Sequence, residues 1–140
     1  MKSLRPFHLA FPVYNIDETR IWYTEQLGCI VGRSSERWID FNFFGHQISA
    51  HLIPRMKYSS QTNKVDNKDI PVRHFGIILN WKDWTTLASK LTRKKCDFIV
   101  SPYIRFKGEI GEQGTLFIKD PSNNVLEFKS FRDDNNIFSR

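Results

Sequence analysis

The chain has 140 residues, 40% of them hydrophobic and 14% aromatic, so it can bury one sizeable core and is expected to form one domain. It contains no apolar run long enough to span a membrane, and its opening stretch is too weakly apolar for a secretory signal, so we expect a cytoplasmic protein. The formal net charge of +6 suits an anionic ligand, but its basic residues are dispersed and no nucleic-acid-binding motif is present, which argues against nucleic acid as a partner.

The first half of the chain predicts the element order βαβββ. In PFHLAFPV, alternate apolar residues form one face of a strand, so His8 lies on the other face. NIDETRIWYTEQLG predicts a helix that Asn15 caps at its start and Gly28 ends. CIVGR predicts a short strand, and RWIDFNFF and HQISAHL predict a hairpin joined by Gly45.

The second half repeats this order after a polar stretch. Residues 54–71 are bracketed by prolines and predict a linker or mobile surface loop, which separates modules 1–53 and 72–132 of a single domain, 1–140. VRHFGIILN predicts a strand with His74 opposite its apolar face. WKDWTTLASKLTRKK predicts a helix with Asn80 as its N-cap and an apolar stripe that runs from Trp84 to Leu91. DFIV, TLFIKD and NVLEFK predict the remaining strands.

In each half of the chain, polar residues interrupt the apolar pattern of the strands at similar places. His8 matches His74, and His51 matches Glu127, so a pseudo-twofold repeat is expected to bring four potential ligands to one concave surface. His46 falls on the opposite strand face from His51 and is left out, although a slip of one residue in register would exchange the two.

Four stretches carry a family resemblance: FHLAFPV, WYTEQLG, RHFGIIL and GTLFIKDPSNNVLEF. With them the chain resembles the vicinal oxygen chelate superfamily, which includes glyoxalase I, extradiol dioxygenases, and fosfomycin- and bleomycin-resistance proteins. WIDFNFFGHQISAHL and PYIRFKGEIGEQGTLF resemble a small bacterial group of predicted dioxygenases. The resemblance implies an α+β fold in which two βαβββ modules form an open, cup-shaped mixed sheet around a divalent metal, and by analogy a homodimer.

Carried over by position, the resemblance implies that His8, His74 and Glu127 are metal ligands, the set that extradiol dioxygenases use. Glyoxalase I proteins usually add a fourth ligand, often Glu, on the last strand of the first module, and His51 stands in that neighbourhood. His51 is therefore a candidate fourth ligand, acid/base or supporting residue.

The implied ligand set defines the expected chemistry. Two imidazoles and a carboxylate suit Fe(II), and Mn, Zn, Ni or Co are alternatives. We expect a metal-dependent, dioxygenase-like enzyme that cleaves the ring of a small oxygenated substrate, with His51 as catalytic acid/base and Arg105 holding a substrate oxyanion. Two alternatives stay open: a glyoxalase I-like lyase or isomerase, and a non-catalytic small-molecule binding or resistance protein.

Overall fold

A computed structural model describes residues 3–55 and 61–140 of the chain. These described residues form two four-stranded sheets, each accompanied by one α-helix, and a separate two-stranded hairpin. The chain divides into unit 1, Met1–Lys57 with Asp120–Asn124, and unit 2, Tyr58–Lys119 with Val125–Arg140. The predicted α+β class and the βαβββ order of both halves are confirmed. Within the described ranges, neither helix is long and apolar enough to cross a membrane.

Unit 1 contains the first sheet and helix. Its elements are β1 (His8–Val13), α1 (Ile16–Leu27), β2 (Ile30–Ser34), β3 (Trp38–Phe43) and β4 (His46–Leu52). The sheet order is β1-β4-β3-β2, with β1 parallel to β4 and the other pairs antiparallel. As predicted, the Asn15 side chain accepts a hydrogen bond from the Glu18 N–H, and Gly28 ends the helix at φ 70°. Tyr23 from α1 is fully buried and stacks on Phe41 of β3.

The turn DPSNN also belongs to unit 1, where its carboxylate has a structural role. Asp120 is 4% exposed and accepts hydrogen bonds from the Tyr23 hydroxyl, the backbone N–H groups of Ser122 and Asn124, and the Asn124 side-chain amide. Burial raises the pKa of Asp120, and the hydrogen bonds oppose that rise. Because the Asp120 carboxylate accepts hydrogen bonds both from the turn itself and from Tyr23 of α1, it holds the turn against α1.

Unit 2 contains the hairpin and the second sheet. Its elements are β5 (Gln61–Val65), β6 (Lys68–Val72), β7 (Phe75–Ile78), α2 (Trp81–Arg93), β8 (Phe98–Arg105), β9 (Gln113–Lys119) and β10 (Val125–Phe131), followed by a short 3-10 helix (Asp134–Asn136). The sheet order is β7-β10-β9-β8, and β7 runs parallel to β10. The predicted apolar stripe of α2 is buried, and the Trp84 Nε1–H donates to the backbone carbonyl of Phe128 at 2.9 Å.

The prediction of a linker or loop at residues 54–71 is wrong from residue 61 onward. That part of the chain forms the β5–β6 hairpin, whereas residues 56–60 lie outside the described residues. Asp66 and Asn67 form its two-residue turn with φ 50° and 63°, the positive values that a type I′ hairpin turn requires.

The sequence did not predict this hairpin, because its composition is polar and the residues against which it packs are distant in sequence. Ile70 is 2% exposed and packs in a buried cluster with Val100, Phe117 and Val125. Ile70 is the one buried residue of the two short strands, which gives no periodic signal, so only the long-range packing identifies the segment as part of the fold.

Candidate metal-binding site

His74 and Glu127 meet beside the sheet of unit 2. His74 immediately precedes β7, and Glu127 lies on β10, the parallel neighbour of β7. The Nε2 atom of His74 is 3.3 Å from the Oε1 atom of Glu127, with about a quarter of the His74 side chain and a fifth of the Glu127 side chain exposed. The structure therefore brings together two of the predicted metal ligands.

Gly76 allows β7 and β10 to approach closely at this point. Gly76 lies directly opposite Glu127, and a Cβ atom at Gly76 would overlap the Glu127 backbone carbonyl. The glycine is thus required by the packing of the strand that carries Glu127.

The imidazole of His74 is held from its other side. Its Nδ1 atom lies 2.7 Å from the Pro71 carbonyl oxygen. Because a carbonyl can only accept a hydrogen bond, this contact assigns a proton to Nδ1. Nε2 donates to Glu127 when the ring is protonated and has a free lone pair when the ring is neutral. The edge-to-face contact between His74 and the Phe117 ring, with centroids 5.0 Å apart, further fixes the ring plane.

The second oxygen of Glu127 is also engaged. The Thr115 hydroxyl, on the neighbouring strand β9, donates to Oε2 of Glu127 at 2.6 Å. Thr115 is 3% exposed, so its hydroxyl is shielded from competing water. Because Thr115 bonds to Oε2, Oε1 is the oxygen of Glu127 that faces His74.

The pKa values of the pair shift in opposite directions. The hydrogen bond to Glu127 raises the pKa of His74 most, with burial opposing and the Pro71 carbonyl assisting. Burial alone would raise the pKa of Glu127, but hydrogen bonds from His74 and Thr115 and the charge of Lys129 bring it below the usual value. Glu127 is therefore an anion at neutral pH, as a metal ligand must be.

The pair fits two ligands of a metal site. A histidine whose Nδ1–H bonds to a carbonyl, and a carboxylate held by a hydroxyl, have the supporting contacts that orient metal ligands in proteins. Within residues 3–55 and 61–140, no group of three or more His, Cys, Asp or Glu side chains is assembled for a metal ion. His74 and Glu127 are thus a two-donor arrangement in unit 2.

The other two predicted histidines lie in unit 1 and do not meet each other. His8 begins β1, and its Nδ1 atom lies 2.8 Å from the side-chain carbonyl oxygen of Gln47. His51 is opposite Pro12, four residues further along β1 than His8, which corresponds to about 13 Å along the sheet. His51 and His8 are therefore not neighbours in the register of this sheet, and their convergence on one ion stays a prediction.

The strand register also corrects the residue equivalent to Glu127. Glu127 is opposite Gly76, two residues after His74, and Ser49 is opposite Ala10, two residues after His8. Ser49, rather than His51, therefore occupies the position in unit 1 that Glu127 occupies in unit 2. The Ser49 hydroxyl is buried and hydrogen-bonds to the Asp40 carboxylate at 2.6 Å.

His46, which was left out of the predicted ligands, has a contact with the backbone just before β1. Its Nδ1 atom accepts the Phe7 backbone N–H at 2.8 Å. This bond fixes the beginning of β1 against β4.

Arg105, the predicted substrate-binding residue, is paired within unit 2. Its Nε and Nη2 atoms lie 2.5 Å and 3.2 Å from the two Asp66 carboxylate oxygens, and the Tyr103 hydroxyl donates to the same carboxylate at 2.8 Å. Arg105 bonding lowers the pKa of Asp66, while burial and the Asp66 bond raise the pKa of Tyr103 to about 12. Arg105 thus anchors the β5–β6 turn, and binding a substrate oxyanion would require this pair to open.

The sequence analysis missed Thr115 and Lys129. Lys129 lies two residues after Glu127 on the same strand face and opposite Thr115 in the register of β9 and β10. The alternation of side chains along a strand could have predicted that Lys129 lies on the same face as Glu127. The contact of Thr115 with Glu127 depends on the register of β9 with β10, which the sequence does not specify.

A cavity of about 650 Å³ in unit 1 contains none of the predicted site residues. It lies beside the start of α1 and is lined in part by Asn15, Arg20, Ser34 and Glu36. Its mixed charges give no metal-binding arrangement, so the His74–Glu127 pair remains the candidate site.

The chain matches the Glyoxalase/Bleomycin resistance protein/Dioxygenase superfamily over residues 5–128, a span that includes both four-stranded sheets almost completely. The chain belongs to this superfamily. A glyoxalase/bleomycin resistance protein/dioxygenase from Alicyclobacillus acidocaldarius is 34% identical, with 95% of this chain and 96% of that chain covered and a TM-score of 0.79. The resemblance inferred from the sequence is confirmed.

More distant members of the superfamily share the fold. The fosfomycin resistance protein FosX from Listeria monocytogenes is 11% identical, with 93% of each chain covered and a TM-score of 0.65. A lactoylglutathione lyase from Agrobacterium tumefaciens is 10% identical, covering 93% of this chain and 94% of that chain at a TM-score of 0.61. Among curated proteins, no match was found. At these identities the structural likeness establishes the fold and leaves the reaction open.

Proposed function

We propose that this superfamily member is a metal-dependent, dioxygenase-like enzyme that acts on a small oxygenated substrate. The observation that carries the proposal is the His74–Glu127 pair, in which Nε2 and Oε1 face each other at 3.3 Å while the remaining polar atoms are held by Pro71 and Thr115. His8 is proposed as the third ligand from the sequence repeat, and a homodimer is proposed by analogy with other proteins of this fold.

The proposed ligands define the metal and its contribution. Two imidazoles and one carboxylate suit Fe(II), with Mn, Zn, Ni or Co accepted by the same donors. A divalent ion with open positions supplies a Lewis acid that polarises adjacent substrate oxygens. The chain contributes a fixed His74 ring, an ionised Glu127 and the apolar ring of Phe117 against His74.

The register of β1 with β4 favours a dioxygenase-like function over the glyoxalase I-like alternative. Glyoxalase I proteins usually carry a fourth ligand, often Glu, on the last strand of the first module, and the register places Ser49 at that position. A serine bonded to Asp40 is a poor substitute for a carboxylate ligand. His51 is proposed as the acid/base of this reaction.

Metal uptake tests the ligand proposal. Metal-free protein is titrated with Fe(II) under anaerobic conditions, and with Mn(II) and Zn(II), alongside Glu127→Gln and the matched control Glu109→Gln in the exposed β8–β9 loop. We expect Glu127→Gln to weaken binding at least tenfold, since it removes an anionic ligand, and Glu109→Gln to bind as the wild type does. Equal binding by a folded Glu127→Gln variant would refute the ligand role.

Activity assays distinguish the alternatives. Oxygen consumption with a panel of catechols, dependent on Fe(II) and lost in Glu127→Gln, is the expected result. Conversion of thiol hemithioacetals without oxygen consumption would instead favour the glyoxalase I-like reading. Ligand binding without product in either assay would favour the non-catalytic alternative.

A further inference from the structure

A small cavity with one lysine adjoins the His74–Glu127 pair. The cavity has a volume of about 230 Å³ and is lined by residues 74–78, Glu127 and Lys129. Pockets for complete drug-sized ligands occupy roughly 300–1,000 Å³. This cavity therefore suits one functional group of a substrate rather than a whole large molecule.

Lys129 is the lysine of this lining. It is half-buried, and its ammonium lies 5.6 Å from the centre of the Phe131 ring. Among the described residues it forms no salt bridge with a carboxylate. Because partial burial removes water from an ammonium group, an anion in the cavity would replace lost hydration.

The charge of Lys129 reaches the candidate ligands. The hydrogen bond to Glu127 raises the pKa of His74, and the charge of Lys129 opposes that rise. Burial raises the pKa of Glu127, whereas the hydrogen bonds from His74 and Thr115 and the charge of Lys129 lower it. Glu127 is the carboxylate among the lining residues, and its oxygens are already engaged by His74 and Thr115. Arg105, the other candidate cation, is held by Asp66.

We propose that Lys129 and this cavity bind a small oxyanion of the substrate, a carboxylate or a phosphate group. This inference rests on the proposed function for the neighbouring metal ligands and names the substrate class: a small oxygenated molecule with an anionic group. The ammonium supplies up to three N–H donors to the oxyanion. The net charge of +6 favours the approach of such a substrate.

Amide chemical shifts of the protein provide a direct binding test. Metal-free protein at constant ionic strength is titrated separately with sodium acetate and with methyl phosphate, which distinguish the two oxyanion classes. We expect one of these anions to shift the amide signals of residues 74–78 and 127–129. Lys129→Gln is expected to weaken that binding about tenfold, because it removes a charge-assisted hydrogen bond.

The matched control is Lys82→Gln, which removes an equal charge from the exposed face of α2. Binding unchanged in Lys82→Gln but weakened in Lys129→Gln supports the subsite. Equal affinity in wild type and Lys129→Gln, an equal loss in both variants, or no shifts with either anion would overturn it.

Repeating the titration with Zn(II)-loaded protein separates this inference from the proposed function. Failure of the protein to take up Zn(II), Fe(II) or Mn(II) would refute the metal proposal, whereas the metal-free titration would still decide the role of Lys129. Metal uptake with an anion affinity that does not depend on Lys129 would refute the subsite alone.

Discussion

Gly76 and Glu127 face each other across the parallel strands β7 and β10 with no room for a side chain at position 76. Gly76→Ala would push the Glu127 backbone away from β7, so we expect the free energy of unfolding to fall by about 1–3 kcal/mol. Urea unfolding measures this loss.

Gly32→Ala is the matched control for this substitution. A Cβ atom at Gly32 meets the Asp40 side chain at an ordinary 3.4 Å, so the expected change is small. Similar stabilities for the two variants would contradict the close approach at Gly76.

Thr115 is expected to act on metal affinity through Glu127. Thr115→Val preserves the side-chain shape but removes the hydroxyl that donates to Oε2, leaving the carboxylate free to rotate. We expect metal affinity to fall about tenfold, while Thr115→Ser retains most of it. Competition with a metal-binding dye measures the three affinities, and a loss in Thr115→Ser as large as that in Thr115→Val would point to packing instead.

The carboxylate of Asp120 is expected to stabilise unit 1 by accepting hydrogen bonds. Asp120→Asn places an amide N–H₂ group among donors from Tyr23, Ser122 and Asn124, so at least one donor loses its acceptor. We expect a loss of about 1–3 kcal/mol in thermal or urea unfolding. Tyr23→Phe removes only one of these donors and should cost less; the reverse order of stabilities would count against this network.

The Asp66–Arg105 pair is expected to break in acid. The pKa of Asp66 in the folded chain is lowered from its ordinary 3.8, so the stabilising contribution is complete above that ordinary value and is lost as pH falls through the lowered value. The side-chain Nε–H signal of Arg105, followed by NMR from pH 7 to pH 2, should therefore stay constant to about pH 4 and change only below it. In Asp66→Asn the acid-state signal should already be present at pH 7, and a wild-type change centred near pH 6 would contradict the assignment.

The features that were predictable from sequence are those that depend on local patterns. The Asn15 and Asn80 caps, and the stripe that includes Trp84, follow from residue spacing within one helix. The face of Glu127 likewise follows from alternation in one strand.

Features that depend on strand pairing could not be predicted from the sequence. His51 was matched to Glu127 by counting along the chain, and the register of β1 with β4 moves that match by two residues to Ser49. The partner of Arg105 lies 39 residues away on a hairpin whose polar sequence resembles a loop. In each case a contact distant in sequence decides the outcome.

Paramagnetic broadening by Mn(II) tests the central claim, that His74 and Glu127 bind a divalent metal, most directly. Substoichiometric Mn(II) added to isotope-labelled protein should broaden the amide signals around residues 74–76 and 126–128 first, and Glu127→Gln should abolish that pattern. Broadening centred elsewhere, for example on the exposed Asp133 and Asp134, or an unchanged pattern in folded Glu127→Gln would contradict the account.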